Sequence, residues 1–264
     1  MLKAILYYIL LIAEFIVTLF VGGIALSFYI MYESPKGGIT NEAAFLNDAA
    51  PIIIFFSLLS MVIVWITFYK AKFSKFTLGK VLPAVKWKAM LYTSLPMFGF
   101  TLAYYAAMNL LQIHFLPKEM NELGYWAFVP YAVVGSFFSA YVFYGAIQEE
   151  LIRCGKKKWI QLLTLCLMML PMCLLTISEE NNLRWEYLTL LGLISTCYGF
   201  WIYGKTRSSI LLFAIYFVSN LVPTQIKSEP LTIVLIIIGL AMTVWGYINL
   251  RKKMPQILMN EEEA

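Results

Sequence analysis

Apolar stretches long enough to cross a bilayer recur from one end of this 264-residue chain to the other. A hydrocarbon core about 30 Å thick needs roughly 20 consecutive apolar residues in a spanning helix. Eight stretches qualify, at about 4–32, 51–69, 89–116, 124–147, 159–178, 185–204, 208–226 and 231–250. They are too long and unbroken for the alternating strands of a membrane barrel. The expected fold is therefore all-α, one transmembrane domain of eight helices over residues 1–264. A composition 61% hydrophobic and 13% charged, with a mean hydropathy of +0.76, excludes an ordinary water-soluble domain. The first stretch is too long for a signal-peptide core and is read as a helix of the mature protein.

The basic residues set an orientation. With the N-terminus inside, 16 of the 20 lysines and arginines fall on cytoplasmic segments, as the positive-inside rule requires. Both termini are then cytoplasmic, and the short loops with inner-face lysines suit a bacterial plasma membrane. The net charge of +5 is explained by this asymmetry and gives no sign of nucleic-acid binding. The inner loop 70–88, "KAKFSKFTLGKVLPAVKWK", interleaves lysines with Phe73, Phe76, Leu78 and Trp87. That pattern suits a segment lying on anionic headgroups. No cofactor or metal is called for. Cys154, Cys166, Cys173 and Cys197 lie in spans or at the inner face, where disulfides are not expected, and they read as small buried hydrophobes.

Ionisable and strongly polar residues inside a membrane are costly, so each is a functional candidate. Glu14 sits in the first span and reads as a carboxyl paired with a neighbouring helix. The sole histidine, His114, is about 37 Å along its span from the inner end on a 1.5 Å rise, and reads as interfacial. In "GAIQEELIRCG", residues 145–155, Glu149 and Arg153 are four apart and share a helix face, which permits an ion pair. Gln148 lies beside them, about 12 Å from the inner lysines. In the seventh span, Tyr216 and Asn220 are also four apart, about 12 and 18 Å from Ser208. Both polar pairs enter from the cytoplasmic side to similar depth, so the fourth and seventh spans are expected to share a polar cavity, with Gln148 near Tyr216.

These segments resemble the CPBP membrane proteins, which group CAAX prenyl endopeptidases with bacteriocin-processing and bacteriocin-immunity (Abi) proteins. The resemblance covers about residues 70–226 and implies an eight-helix, intramembrane-protease-like bundle with a site open to the cytoplasm. "QEELIR" is similar to the family's Glu-Glu-x-x-x-Arg motif, with Gln148 at the first glutamate, Glu149 at the second and Arg153 at the arginine. "YFVSN" is similar to His-x-x-x-Asn, with Tyr216 at the histidine and Asn220 at the asparagine. The Phe-x-x-x-His motif of the fifth span falls near Met169 and Cys173.

The family's active members use the first glutamate and two histidines to activate water, and the asparagine to help stabilise an oxyanion. Residues 115–264 contain no histidine, and glutamine cannot accept a proton. In an alternative register Glu149 and Glu150 become the acidic pair, but both histidines are still missing. The resemblance therefore implies a degenerate member with no intact catalytic set, working by binding. It would regulate a membrane or envelope protein partner or act as a bacteriocin self-immunity factor. Two other readings stay open: an active endopeptidase using Glu149 or Glu150, and a membrane subunit of a peptide exporter.

Overall fold

A computed structural model describes residues 2–33, 87–113, 125–174, 185–222 and 229–262, with scattered positions between 51 and 66. The segment 70–86 and His114 lie outside the described residues, as do the side chains of Glu14 and Cys173. Among the described residues the chain is helical throughout: α1 (Leu2–Glu33), α2 (Trp87–Leu110), α3 (Tyr125–Phe137), a π-helical segment (Phe138–Gln148), α4 (Glu149–Arg153), α5 (Lys158–Leu174), α6 (Trp185–Thr206), α7 (Ser209–Asn220) and α8 (Glu229–Glu262). No strand occurs among them, so the fold is all-α.

The chain runs through α3, the π segment and α4 as one helical rod. The π segment is the part most enclosed by protein: Ala140, Tyr141, Val142 and every residue from Tyr144 to Gln148 are buried. A helix that hides nearly its whole circumference belongs at the centre of a bundle. It packs against α1, α7 and α6, with α3 and α7 also in contact. The buried core gathers here, around Tyr144, Ile147, Leu151, Leu165, Ile202, Leu211, Leu212 and Ile215.

Beside this centre, α2 and α8 form the tightest helix pair. Its cause is a stripe of small residues. A Cβ added at Gly99 would lie 2.7 Å from the Gly239 carbonyl oxygen, and one at Gly239 would lie 2.6 Å from that of Gly99. Backbone thus meets backbone at the crossing, with Ala103 against Gly239 and Pro96 against Gly246 on either side. Glycine and alanine at such a seam let helices approach without the hydrophobic effect, as suits association in lipid. Pro96 lies inside α2, where it faces Gly246.

One described helix segment, Glu229–Met254, is long and apolar enough to cross a membrane by length and composition, and only 17% of its apolar window is buried. Large apolar side chains stand exposed along α8, such as Ile237 and Trp245, and along α1, such as Val17, Phe20 and Phe28. The seventh expected span is shorter than its apolar stretch. Helix α7 stops at Asn220, and Leu221 closes a turn onto Phe217 and Val218. Its 12 residues reach only about 18 Å. The sequence gives the reason: Pro223 has no amide hydrogen and disfavours helical backbone in the residue before it.

Candidate functional site

The polar residues singled out in the sequence lie along the seam between the central rod, α6 and α7. Three ties run along this seam from the α4 end. The first gathers on Glu149. Its Oε2 accepts from Arg207 Nη1 at 2.8 Å and from the Tyr203 hydroxyl at 3.1 Å, while Oε1 lies 3.6 Å from Arg153 Nε. The expected i,i+4 pair with Arg153 is present, but the closer partner is Arg207, at the turn between α6 and α7. Arg207 has φ +52°, in the left-handed region that costs an L-residue about 1–2 kcal/mol. This conformation closes α6, with the Arg207 amide donating to the Tyr203 carbonyl at 2.8 Å, and the same residue's guanidinium meets Glu149.

The second tie is a pair of phenols. Tyr144 of the π segment and Tyr216 of α7 stack, with their hydroxyl oxygens 2.6 Å apart. Tyr216 Oη also lies 3.0 Å from the Ser195 carbonyl of α6, and Tyr144 Oη lies 3.3 Å from that of Thr196. Two hydroxyl hydrogens cannot serve three such contacts. The shortest assignment has Tyr144 donating to Tyr216, and Tyr216 donating to Ser195. Gly199 makes the arrangement possible. A helical side chain covers the turn N-terminal to its own Cα, which at position 199 is the turn that carries these carbonyls. A Cβ there would fall 2.5 Å from each phenolic oxygen.

One turn further along α6 the fit is looser. Gln148 is fully buried, and its Nε2 donates to the Phe200 carbonyl at 3.3 Å. That carbonyl lies in the turn before Gly204, where a Cβ would stand 3.9 Å from Gln148 Nε2. The Gln148 Oε1 is buried without a hydrogen-bond partner. The third tie lies deepest: Asn220 Nδ2 donates to Ser136 Oγ at 3.2 Å, and that hydroxyl donates to the Ala132 carbonyl at 2.6 Å.

The π-helical backbone explains why Tyr144, Gln148 and Glu149 all reach α6. In an α-helix of 3.6 residues per turn, positions five apart point about 140° away from each other. With i→i+5 bonding and about 4.4 residues per turn they come within about 50° of each other, so Tyr144, Gln148 and Glu149 share the α6 side.

Comparison of the chain with family models, curated proteins and solved structures found no match. What the site can do is therefore argued from its own groups. Glu149, Tyr216 and Asn220 are each engaged in a tie between helices, and Arg153 pairs with Glu149 on its own helix. The fourth and seventh spans do pack together, but the residue opposite Tyr216 is Tyr144, and Gln148 turns to α6 instead. Glu150 sits beyond the seam, with the Cys154 thiol 3.9 Å from its Oε1. Cys173 lies in the last turn of α5, with its side chain outside the described residues. Among the described residues no group of three or more His, Cys, Asp or Glu side chains is placed to hold a metal ion.

Sequence reasoning missed the role of the sixth span. Tyr144, Tyr203, Arg207, Ser136 and the backbone of α6 complete the ties, yet of these only Arg207, in the lead-in "GKTRSSI" to the seventh expected span, stands in a stretch that drew attention. The available signal was local: Tyr144 precedes Gln148 by four, and "YGFWIYGK" places two glycines five apart on α6. The reading of all four cysteines as buried hydrophobes is also corrected, since Cys154 and Cys197 are exposed and Cys166 is half-buried. Cys197 lies on an outward flank of α6, where an apolar surround would accommodate a thiol as readily as a protein core does.

Proposed function

We propose that this chain is a multi-pass, eight-helix protein of a bacterial plasma membrane, similar to the CPBP proteins, whose protease-like positions have become ties between helices. It works by binding a membrane or envelope protein partner rather than by hydrolysis. The observation that carries this reading is the Tyr144–Tyr216 contact of 2.6 Å, with both phenols directed at α6 carbonyls. A phenol keeps its proton at neutral pH, whereas the imidazole that the family places at the position of Tyr216 would take one. At the position of the family's first glutamate, Gln148 donates a hydrogen bond and has no proton-accepting carboxylate. Neither of these two groups can act as the base for a nucleophilic water. Exposed apolar flanks on α1 and α8, and the inner-face lysines, support the membrane placement.

Two assays on the full-length protein in mild detergent test the proposal. Affinity purification with mass spectrometry is expected to recover a stoichiometric membrane or envelope partner. Incubation with prenylated and signal-type peptides is expected to give no cleavage above that of a Glu149→Ala/Glu150→Ala variant. Cleavage that depends on either glutamate would establish the endopeptidase alternative and overturn the binding reading.

A further inference from the structure

Two thiols that the polar seam does not use face each other across α5 and α6. Cys166 is eight residues beyond Lys158, where α5 leaves the inner face, and Cys197 is eight residues before Lys205 on α6. On a 1.5 Å rise both therefore sit about 12 Å from the inner boundary. The two helices pack directly, and the Cys166 and Cys197 thiols lie within interaction range of each other. They also lie next to the seam: Cys166 is within electrostatic range of Tyr144, and Cys197 of Tyr216. Cys197 is exposed on the outer surface of the bundle while Cys166 is half-buried behind it. One thiol is thus reachable from the side and the other is placed to resolve it.

We propose that Cys166 and Cys197 form a redox-active dithiol, closed to a disulfide by a lipid-soluble quinone that approaches from the membrane. The step balances. Two S–H bonds break and one S–S bond forms, and the quinone takes both electrons and both protons to become a hydroquinone. A thiol pair buried at this depth is remote from aqueous oxidants, and a lipid-borne oxidant can reach the exposed Cys197 first. Closure fixes α5 on α6 at the level of Ser195 and Thr196, whose carbonyls hold the two phenols. The redox state is thereby coupled to the stiffness of the central seam. Reversal by the corresponding hydroquinone, which returns both electrons and both protons, would release it. The proposal needs the membrane placement but neither the family resemblance nor a protein partner.

The test uses the full-length protein in lipid vesicles. A Cys154→Ser/Cys173→Ser variant retains only the paired thiols. Short-chain ubiquinone is added, then a maleimide reagent counts free thiols under denaturing conditions and peptide mass spectrometry locates any bridge. The expected result is loss of both thiols in this variant, with α5 and α6 peptides linked. The apparent Tm should rise by about 5–10 °C, the scale of a native-geometry disulfide. Adding Cys166→Ser or Cys197→Ser should abolish the linkage and the rise. Copper phenanthroline serves as a second oxidant. If the folded variant keeps both thiols after treatment with each of the two oxidants, the dithiol is refuted. If only copper phenanthroline closes the bridge, the quinone is refuted as its oxidant. Neither result depends on finding a binding partner or a protease substrate.

Discussion

Replacing Gly99 or Gly239 by alanine tests the packing of α2 on α8 through the sign of its effect. Alanine is the better helix former by about 0.5–1 kcal/mol, so a loose interface would be stabilised by either change. The structure argues for the opposite. A Cβ at Gly99 would sit 2.7 Å from the Gly239 carbonyl oxygen, 2.8 Å from the Thr243 amide nitrogen and 2.8 Å from Met242 Cβ, where ordinary contact begins at 3.4 Å. The nearest obstacles are backbone, which cannot rotate away, so the helices must part locally by 3.4 − 2.7 = 0.7 Å. A gap of that size forfeits roughly a quarter to a half of each dispersion contact along the seam. Overpacking of this kind costs about 1–3 kcal/mol. Set against the propensity gain, the net loss is up to about 2.5 kcal/mol for each variant, centred on about 1 kcal/mol. Gly135→Ala is the control, because its added Cβ would meet only Asn220 Nδ2 at 3.8 Å, and it should be neutral or gain up to about 1 kcal/mol. Reversible unfolding in mixed micelles, followed by circular dichroism against detergent composition, reads all three. Wild-type stability or better in both Gly99→Ala and Gly239→Ala would show that the backbones do not meet as described.

Three further outcomes are expected. A double-mutant cycle on Tyr144→Phe and Tyr216→Phe should give a coupling energy of about 0.5–1.5 kcal/mol, since their hydroxyls are 2.6 Å apart, whereas additive losses would mean that they do not interact. Arg207→Ala loses the 2.8 Å contact with Glu149, worth no more than about 1 kcal/mol because the Arg207 side chain is 46% exposed, yet it keeps the backbone strain. Arg207→Gly loses the same contact and relieves the strain, so it should be more stable than Arg207→Ala by about 1 kcal/mol in the same unfolding assay; a less stable glycine variant would contradict the positive φ. Gln148→Glu puts a carboxyl in a fully buried position against the Phe200 carbonyl. Burial favours its neutral form, so above the unfolded-state value of about 4.3 the folded protein should hold a proton that the unfolded chain has released. Stability should therefore fall as pH rises through the range above about 4.3, by 2 kcal/mol or more in all (~2–3 kcal/mol), relative to wild type. A flat difference between the two proteins from acid to neutral pH would show that position 148 is solvated.

Along this chain, what the sequence could show follows from one-dimensional signals. Apolar length located the helices because a helix that meets lipid must be apolar over its whole reach, and helical positions were found in or over each expected stretch. Spacing of four identified the Glu149–Arg153 pair because it is set by one helix and its pitch. The end of α7 was legible in Pro223, although apolar content alone carried the expected span past it. The Gln148, Tyr216 and Asn220 positions stood out for being polar where polarity is costly.

Partners across helices had no such signal. The π-helical turn that puts Tyr144, Gln148 and Glu149 on one side depends on their neighbours, and "FSAYVFYGAIQ" reads as an ordinary apolar helix. Gly199 of α6 became meaningful only when the Tyr144 and Tyr216 hydroxyls were seen to occupy the space that a side chain there would fill. The approach of Cys166 to Cys197 likewise joins residues 31 positions apart, brought level by the antiparallel course of α5 and α6. The sequence alone determined that this chain makes apolar helices with a few polar residues at defined depths, because hydrophobicity and helical pitch are local properties. Tertiary structure alone decided what most of the polar groups bond to, because Glu149, Tyr144, Tyr216, Gln148 and Asn220 each find a partner on a different helix.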